Sequence, residues 1–345
     1  MQRAEEQEVE LSNEQREIVE APLDENTVVM SCAASGKTNT LTERLRYVLR
    51  HGVDPNKIVA LTFTNNAAAE MRARLGDDFK VGMFMGTVHS YANMLLGSCG
   101  IDTSYIRDEE EFDELFELIE ENPQVLRPVD YLLCDEAQDL NPNQFNFITE
   151  LIQPRAILIV GDCRQAIYTF SGANPDLLMN LTRNSEYTVR SLTKNYRNAR
   201  NILNYSNSII KKMNRVPKEF IENMRPEDGI VQRISKWELT SIIKKEGPYK
   251  KWAVLCRTNK KVDDILYILN RNNIPAITFR QAEGDLSELK KKMDMNAVKV
   301  LTIHSAKGLE FDNVIVCDLF THGQENMRLN YVSVTRARNK LYICQ

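Results

Sequence analysis

The stretch Val28-Val29-Met30-Ser31-Cys32-Ala33-Ala34-Ser35-Gly36-Lys37-Thr38-Asn39-Thr40-Leu41 constrains this chain more than any other. An apolar run from Thr27 to Met30 enters a turn of small residues that ends in Gly-Lys-Thr. Beyond it, Leu41, Leu45, Val48 and Leu49 recur at helical spacing. Strand, loop and helix in that order are the setting of a phosphate-binding loop. Successive backbone N–H groups and the helix N-terminus face the anion in such a loop. Lys37 adds a mobile positive charge, and Thr38 offers a hydroxyl to Mg²⁺. A glycine-interrupted helix start with an exposed lysine would carry the same letters, but the flanking strand and helix favour nucleotide. Ser31 stands where the pattern has its first glycine.

The remainder reads as alternating strands and helices. Ser12 or Asn13 caps a first helix, Lys57 to Thr64 is a strand, and Asn65 opens a helix. Tyr131–Cys134 and Ala156–Val160 are buried strands, so the class is α/β with parallel sheets. Each polar cluster of this half follows an apolar strand: Ser31–Thr38, Thr62–Asn66, Asp135–Asp139 and Gly161–Gln165. In open α/β sheets ligands bind at the carboxyl ends of strands, so four clusters should converge on one edge. After Ser191 an amphipathic helix is expected over Asn195–Met213, and Pro217–Gly229 is expected to be irregular. Alternation then resumes through Trp252–Cys256, Val262–Leu269, Ala276–Phe279, Val298–Ile303, Asn313–Leu319, Asn326–Ala337 and Lys340–Cys344. This second half has no phosphate loop, which suggests that it closes over nucleotide held by the first.

At 345 residues the chain is long enough for about two domains, and its 43% hydrophobic and 27% charged content is ordinary for a globular protein. Net charge is −4, but residues 1–190 carry −16 and residues 191–345 carry +12. Such asymmetry often marks a nucleic-acid partner. Much of the acidity falls in Asp108–Glu121, where Phe112, Leu115, Phe116 and Ile119 make an apolar stripe, so that segment reads as a solvated helix. The seven scattered cysteines fit reduced thiols and give no metal signature. No apolar run reaches membrane-spanning length, and Met1–Glu10 is neither a signal nor a transit peptide.

Asp135-Glu136 at a strand end suits metal-assisted phosphoryl transfer: Asp135 holds Mg²⁺ through water, and Glu136 orients or deprotonates the attacking water. Gln165 is placed to sense a γ-phosphate, and Arg197 and Arg336 are candidate arginine fingers from the opposite domain. Phe63, Tyr168 and Phe170 are candidates for stacking on bases. Their polar neighbours Thr64, Asn65, His89, Arg257, Asn259 and His304 complete the candidate nucleic-acid set.

Taken together these residues resemble a UvrD/Rep-type superfamily 1A DNA helicase pared to its motor domains. The resemblance is collinear from Leu11 to Leu341: LSNEQRE, SCAASGKT, LTFTNNAAAEM, GTVHS, LLCDEAQD, VGDCRQAIYTFSGA, LTKNYRN, LTIHSAKGLEFDNVIV and YVSVTRARNKL. It implies two tandem RecA-like (P-loop NTPase) domains with an ATP cleft between them, at 1–190 and 191–345. It implies that Gln15 reads adenine, that Tyr196 stacks on it, and that Glu310 reaches the ribose. Ala33, Ala34, Ser35, Gly36, Lys37, Thr38 and Gly308 would line the nucleotide. Phe63, Tyr168 and Phe170 would sit among bases of single-stranded DNA or at a single-strand/duplex junction, with His89, Asn259 and His304 on backbone or bases. The activity implied is 3′-to-5′ movement powered by Mg²⁺ and ATP, in the cytoplasm or wherever DNA is replicated or repaired. A nucleotide-dependent clamp on DNA or protein, with little or no unwinding, is the alternative.

Departures from the family pattern are informative. Asn39 stands where an Arg usually flanks adenine, Cys163-Arg164 replaces an acidic pair, and Ser171 and Asn66 replace basic residues. Relatives carry inserted domains where this chain has only 97–128 and 280–297, the second too short for a domain. Because those insertions engage duplex, translocation is better supported than unaided strand separation, and a protein partner could supply the duplex contact.

Overall fold

The computed structural model describes residues 10–106, 112–279, 286–320 and 322–345. The acidic stretch before Glu10, Asp108–Glu111 and the first residues of the 280–297 loop lie outside the described residues. Two six-stranded sheets, each wholly parallel, organise the chain. The first holds β1 (Thr27–Ser31), β2 (Ile58–Thr62), β3 (Phe84–Thr87), β4 (Tyr131–Cys134), β5 (Ala156–Gly161) and β6 (Thr188–Leu192), in the order β3-β2-β4-β5-β1-β6. A two-stranded pair follows, β7 (Lys194–Asn195) with β8 (Glu222–Asn223). The second sheet holds β9 (Ile230–Ile234), β10 (Trp252–Cys256), β11 (Ala276–Ile277), β12 (Val298–Thr302), β13 (Phe311–Cys317) and β14 (Ala337–Cys344), in the order β11-β12-β10-β13-β14-β9.

Helices α1 (Asn13–Val19), α2 (Lys37–Arg50), α3 (Asn65–Leu75), α4 (Val88–Ser98), α5 (Glu114–Glu121), α6 (Pro142–Asn146) and α7 (Pro175–Leu181) serve the first sheet. The second is served by α8 (Arg200–Ile210), α9 (Glu238–Glu246), α10 (Asn259–Arg271), α11 (Leu286–Asp294) and α12 (Gln324–Val334). This is the two-sheet α/β architecture of tandem RecA-like domains. Among the described residues no helix is long and apolar enough to cross a membrane.

Each central strand is buried on both faces, so its alternate residues feed two different cores. On one face of the first sheet, Val29, Ala60, Leu133 and Val160 meet Leu41, Leu45 and Val48 of α2 and Met71 of α3. On the other, Val28, Met30, Leu132 and Ile159 meet Leu95 of α4 and Phe116 and Ile119 of α5. That second core runs on without a break into the other half, through Ile202 and Leu203 of α8, Tyr331 and Val332 of α12, and Leu255 and Val316. A fully buried Leu or Ile of this kind contributes roughly 1.5–3 kcal/mol of transfer free energy. The shared core therefore joins the two halves across their seam.

The apolar stripe expected in the acidic segment is present: Leu115, Phe116 and Ile119 of α5 are buried and Phe112 packs beside them. Three strands differ from expectation. β6 and β9 are edge strands with exposed residues, and β3 is a four-residue strand with a glycine, so none has the apolar run of a central strand. The helix expected over Asn195–Met213 is shorter, beginning at Arg200. Asn195 is instead buried in β7, where its side chain bonds Ala33 O and Asn198. Within Pro217–Gly229, β8 is the only strand among the described residues. The first sheet ends after Leu192, so a division at residue 190 falls inside β6.

Candidate active site at the seam of the two halves

Because all strands of the first sheet are parallel, the carboxyl ends of β1, β2, β4 and β5 share one edge, and the four polar clusters follow them there. The phosphate loop turns from Ser31 into α2 with Ala34 at φ 60° and Gly36 at φ 76°. No side chain caps α2, which leaves its first N–H groups facing outward. The positive φ of Gly36 favours glycine, and a Cβ there would come within 2.5 Å of Gln15 Nε2 and push that amide aside. The Ser31 hydroxyl donates to Gly161 O at 3.0 Å, which explains how a serine fits where the pattern has glycine. Ser35 Oγ is buried with no hydrogen-bond partner, an orphan hydroxyl inside a turn of N–H groups. That arrangement fits a bound phosphate. Gln15 spans the loop and its own helix: Oε1 accepts from Ser12 N at 2.9 Å and Nε2 donates to Ser35 O at 3.0 Å.

Lys37 Nζ pairs with Asp135 Oδ1 at 2.9 Å and Glu136 Oε1 at 2.5 Å. Burial works against the charged lysine, but the two carboxylates outweigh it and raise Lys37. Burial pushes Asp135 up in spite of Lys37. For Glu136 burial is outweighed by Lys37 and Lys307, which hold its carboxyl well below the usual range. Glu136 stands in the left-handed region at φ 56°, just beyond the end of β4. Gln138 Nε2 donates to Glu136 Oε2, and to Asp139 Oδ2 at 3.1 Å. Thr38, on the first turn of α2, and Asp135 are hard oxygen donors of the kind that suit Mg²⁺.

Residues of the second half close this edge. Arg336 Nη2 donates to Gln165 Oε1 at 3.1 Å, while Gln165 Nε2 donates to Asp162 Oδ2 at 2.9 Å. Lys307 Nζ pairs with Asp139 Oδ2 and donates to Gln165 O at 3.0 Å. Burial, with the neighbouring Arg197 adding to it, lowers Arg336 to about 9. Arg197 itself is tied to Glu310 by Nε to Oε2 at 2.5 Å and to Thr335 O at 3.3 Å. Arg338 takes the other oxygen of Glu310 at 2.6 Å. Tyr196 bonds the loop through its backbone N–H to Ala34 O at 3.0 Å, leaving its ring 40% exposed beside a pocket lined by Arg197, Arg225, Asp312 and Arg338. Gly308, at φ 85°, follows Lys307 and precedes Glu310.

A chain of rings crosses the seam next to these charges. Phe63 stacks on Tyr168 with centroids 5.0 Å apart, and Tyr168 lies 6.1 Å from Phe170 and 5.8 Å from His304. Phe170 meets His304 edge-on at 5.4 Å and is 70% exposed. Lys307 Nζ stands 4.9 Å from the Tyr168 centroid, so one cation touches both the carboxylate network and the ring stack. Thr64 caps α3 and Asn65 is exposed at its first turn. Arg257 is held by Asn326 at 2.7 Å and lies over Phe320, and Asn259 is exposed at the start of α10. His89 does not join the stack. It packs against Phe112 and Phe116 of the acidic segment, with Gln144 Nε2 at 2.9 Å from its ring.

Several central residues escaped the sequence reading. Gln138 accepts from Asp162 N at 2.9 Å, and Asp139, Asn195, Lys307 and Tyr331 also bond across this edge. Gln138 and Asp139 carried a signal, since they lie in the polar cluster after β4. Tyr331 carried none, because an aromatic on an apolar helix face reads as core.

Residues 11–127 and 110–186 match the UvrD/REP helicase N-terminal domain, and residues 282–345 match the UvrD-like helicase C-terminal domain. The chain is 26% identical to ATP-dependent DNA helicase PcrA of Leuconostoc citreum, with 95% of this chain and 56% of that protein covered. It is 27% identical to DNA helicase II of Haemophilus influenzae over 58% of this chain and 40% of the relative. It is 24% identical to the Gabija protein GajB of Bacillus cereus over 92% of each. The chain spans about half the length of the first helicases it matches. The alignment with PcrA runs over 436 positions, more than the 345 residues of this chain, so that relative carries segments this chain lacks.

Proposed function

This chain belongs to the UvrD/REP helicase family, and from that premise we propose that it is an ATP-driven motor moving 3′-to-5′ along single-stranded DNA. The observation that carries the reading is the meeting of both halves on one carboxylate network. Arg336 reaches Gln165 at 3.1 Å, and Lys307 joins Asp139 to the ring stack. A change at the nucleotide is thereby felt at the rings, and the reverse. The first sheet with its helices, through Leu192, and the part of the chain beyond it are the two lobes of the motor in this reading.

Lys37 and the N–H groups of the loop bind the β- and γ-phosphates, while Gln15 and Tyr196 bracket adenine and Glu310 orients the ribose. Thr38 and Asp135 would hold Mg²⁺, which neutralises charge on the phosphates when bound. Glu136 positions the attacking water. With Lys37 on it, the depressed Glu136 is too weak a base to take a proton. Phosphate competes with both carboxylates for the Lys37 ammonium, and as Lys37 turns to phosphate Glu136 becomes more basic. Gln165 reports on the γ-phosphate, and Arg336, with Arg197 behind it, stabilises the charge that develops on the transferred group.

On the other side, Phe63, Tyr168 and Phe170 take bases between them, with Thr64, Asn65, Arg257, Asn259 and His304 on the backbone. The shortened 97–128 and 280–297 segments favour translocation over unaided unwinding, with a protein partner engaging duplex. They also favour the second reading, a clamp that closes on DNA without travelling.

ATP turnover by the purified chain, titrated with single-stranded DNA, tests the reading. Turnover should rise with DNA to a plateau. In Phe170→Ala the DNA concentration for half-stimulation should rise about tenfold, the loss of one stacked base at roughly 1–3 kcal/mol. Turnover indifferent to DNA would overturn the proposal.

A further inference from the structure

The phosphate loop is not held by its own half alone. Ala34 lies in the left-handed region, a conformation disfavoured for any residue with a Cβ. The peptide groups on either side of it are gripped from beyond Leu192. Ala33 N donates to the Tyr331 hydroxyl at 3.3 Å, and Asn195 Nδ2 donates to Ala33 O at 2.8 Å. Tyr196 N donates to Ala34 O at 3.0 Å. Tyr331 on α12 and Asn195 on β7 are both fully buried, so solvent does not compete for these bonds.

We propose that Tyr331 and Asn195 are positioning residues that hold the Ala33–Ala34 turn in its anion-binding shape, so that docking of the second half sets nucleotide affinity. The inference rests on the nucleotide reading of the loop given above. A strained turn persists only where its surroundings over-determine it. Withdrawing α12 from the loop frees Ala34 to leave the left-handed region, and the N–H groups beyond it then no longer converge on one point. ATP would be gripped when the halves are together and loosened when they part.

Tyr331→Phe keeps the ring in its packing and removes only the hydroxyl, leaving the buried Ala33 N–H without a partner. Titration with a fluorescent methylanthraniloyl-ATP in the presence of Mg²⁺ should give a Kd raised about tenfold, with kcat at saturating ATP changed less than about threefold. Glycine takes a positive φ without support, so Ala34→Gly, its own Kd measured first, is the reference for the double variant. Added to Tyr331→Phe, it should restore most of the lost affinity. A general loosening of the fold would not be rescued in this way. An unchanged Kd in Tyr331→Phe, or a double variant as weak as the single one, would overturn the inference. An unaltered protein that fails to bind the analogue would instead remove the nucleotide reading itself.

Discussion

Arg336→Ala should lower ATP turnover at saturating single-stranded DNA by roughly 10³-fold or more, the range measured for arginine fingers elsewhere. The physical reason lies in its surroundings. The guanidinium is buried, and its hydrogen-bond partners are Val332 O, Leu309 O, Thr335 Oγ1 and Gln165 Oε1, all uncharged. Burial lowers it, and nearby Arg197 lowers it again. A cation held this way gains most from an anion that appears only during reaction, which is the condition for raising kcat rather than ground-state affinity. The Kd for ATP should therefore move far less than turnover. Arg336→Lys should stay at least about 10²-fold down, because an ammonium cannot reproduce the planar fork. Turnover within tenfold of the unaltered protein in Arg336→Ala would show that the seam is not where hydrolysis happens.

Lys37→Ala should abolish measurable hydrolysis and also reverse part of the pH dependence of stability. In the intact protein, burial of Glu136 is outweighed by Lys37, and its folded-state pKa lies below the unfolded value. That contribution is present above the unfolded carboxylate pKa and lost as pH falls through the folded value. Without Lys37, burial of Glu136 and Asp135 is no longer offset at close range, and both carboxyls rise. A carboxyl raised above its unfolded pKa favours the folded state only while protonated, so stability then falls as pH climbs from about 4 towards 7. Thermal unfolding of Lys37→Ala should accordingly occur at a higher temperature near pH 5 than near pH 8. A variant that still hydrolyses ATP would show that the phosphate loop is misassigned.

Much of the fold was legible because central parallel strands are apolar on both faces and end abruptly in polar residues. β1, β2, β4 and β5 all follow that rule, and with them the edge where the site forms. β6 and β9 escaped because an edge strand with a solvated face needs no apolar run. Within the site, Lys37, Asp135, Glu136 and Gln165 could be read from local spacing. What bonds across the seam could not. The link from Lys307 to Asp139 joins residues 168 positions apart, and that from Tyr331 to Ala33 joins residues 298 apart. The GTVHS resemblance puts His89 with the nucleic-acid set, yet β3 lies at the far edge of the sheet, and His89 packs there against Phe112 and against Phe116 of α5.

Motion coupled to turnover is the claim on which the rest stands, and arrival of the protein at the end of labelled oligonucleotides measures it most directly. With ATP and Mg²⁺, the delay before a signal at a 5′-end label should lengthen in proportion to the number of nucleotides, and a 3′-end label should show no such delay. Kinetics independent of oligonucleotide length would contradict a travelling motor and leave a clamp.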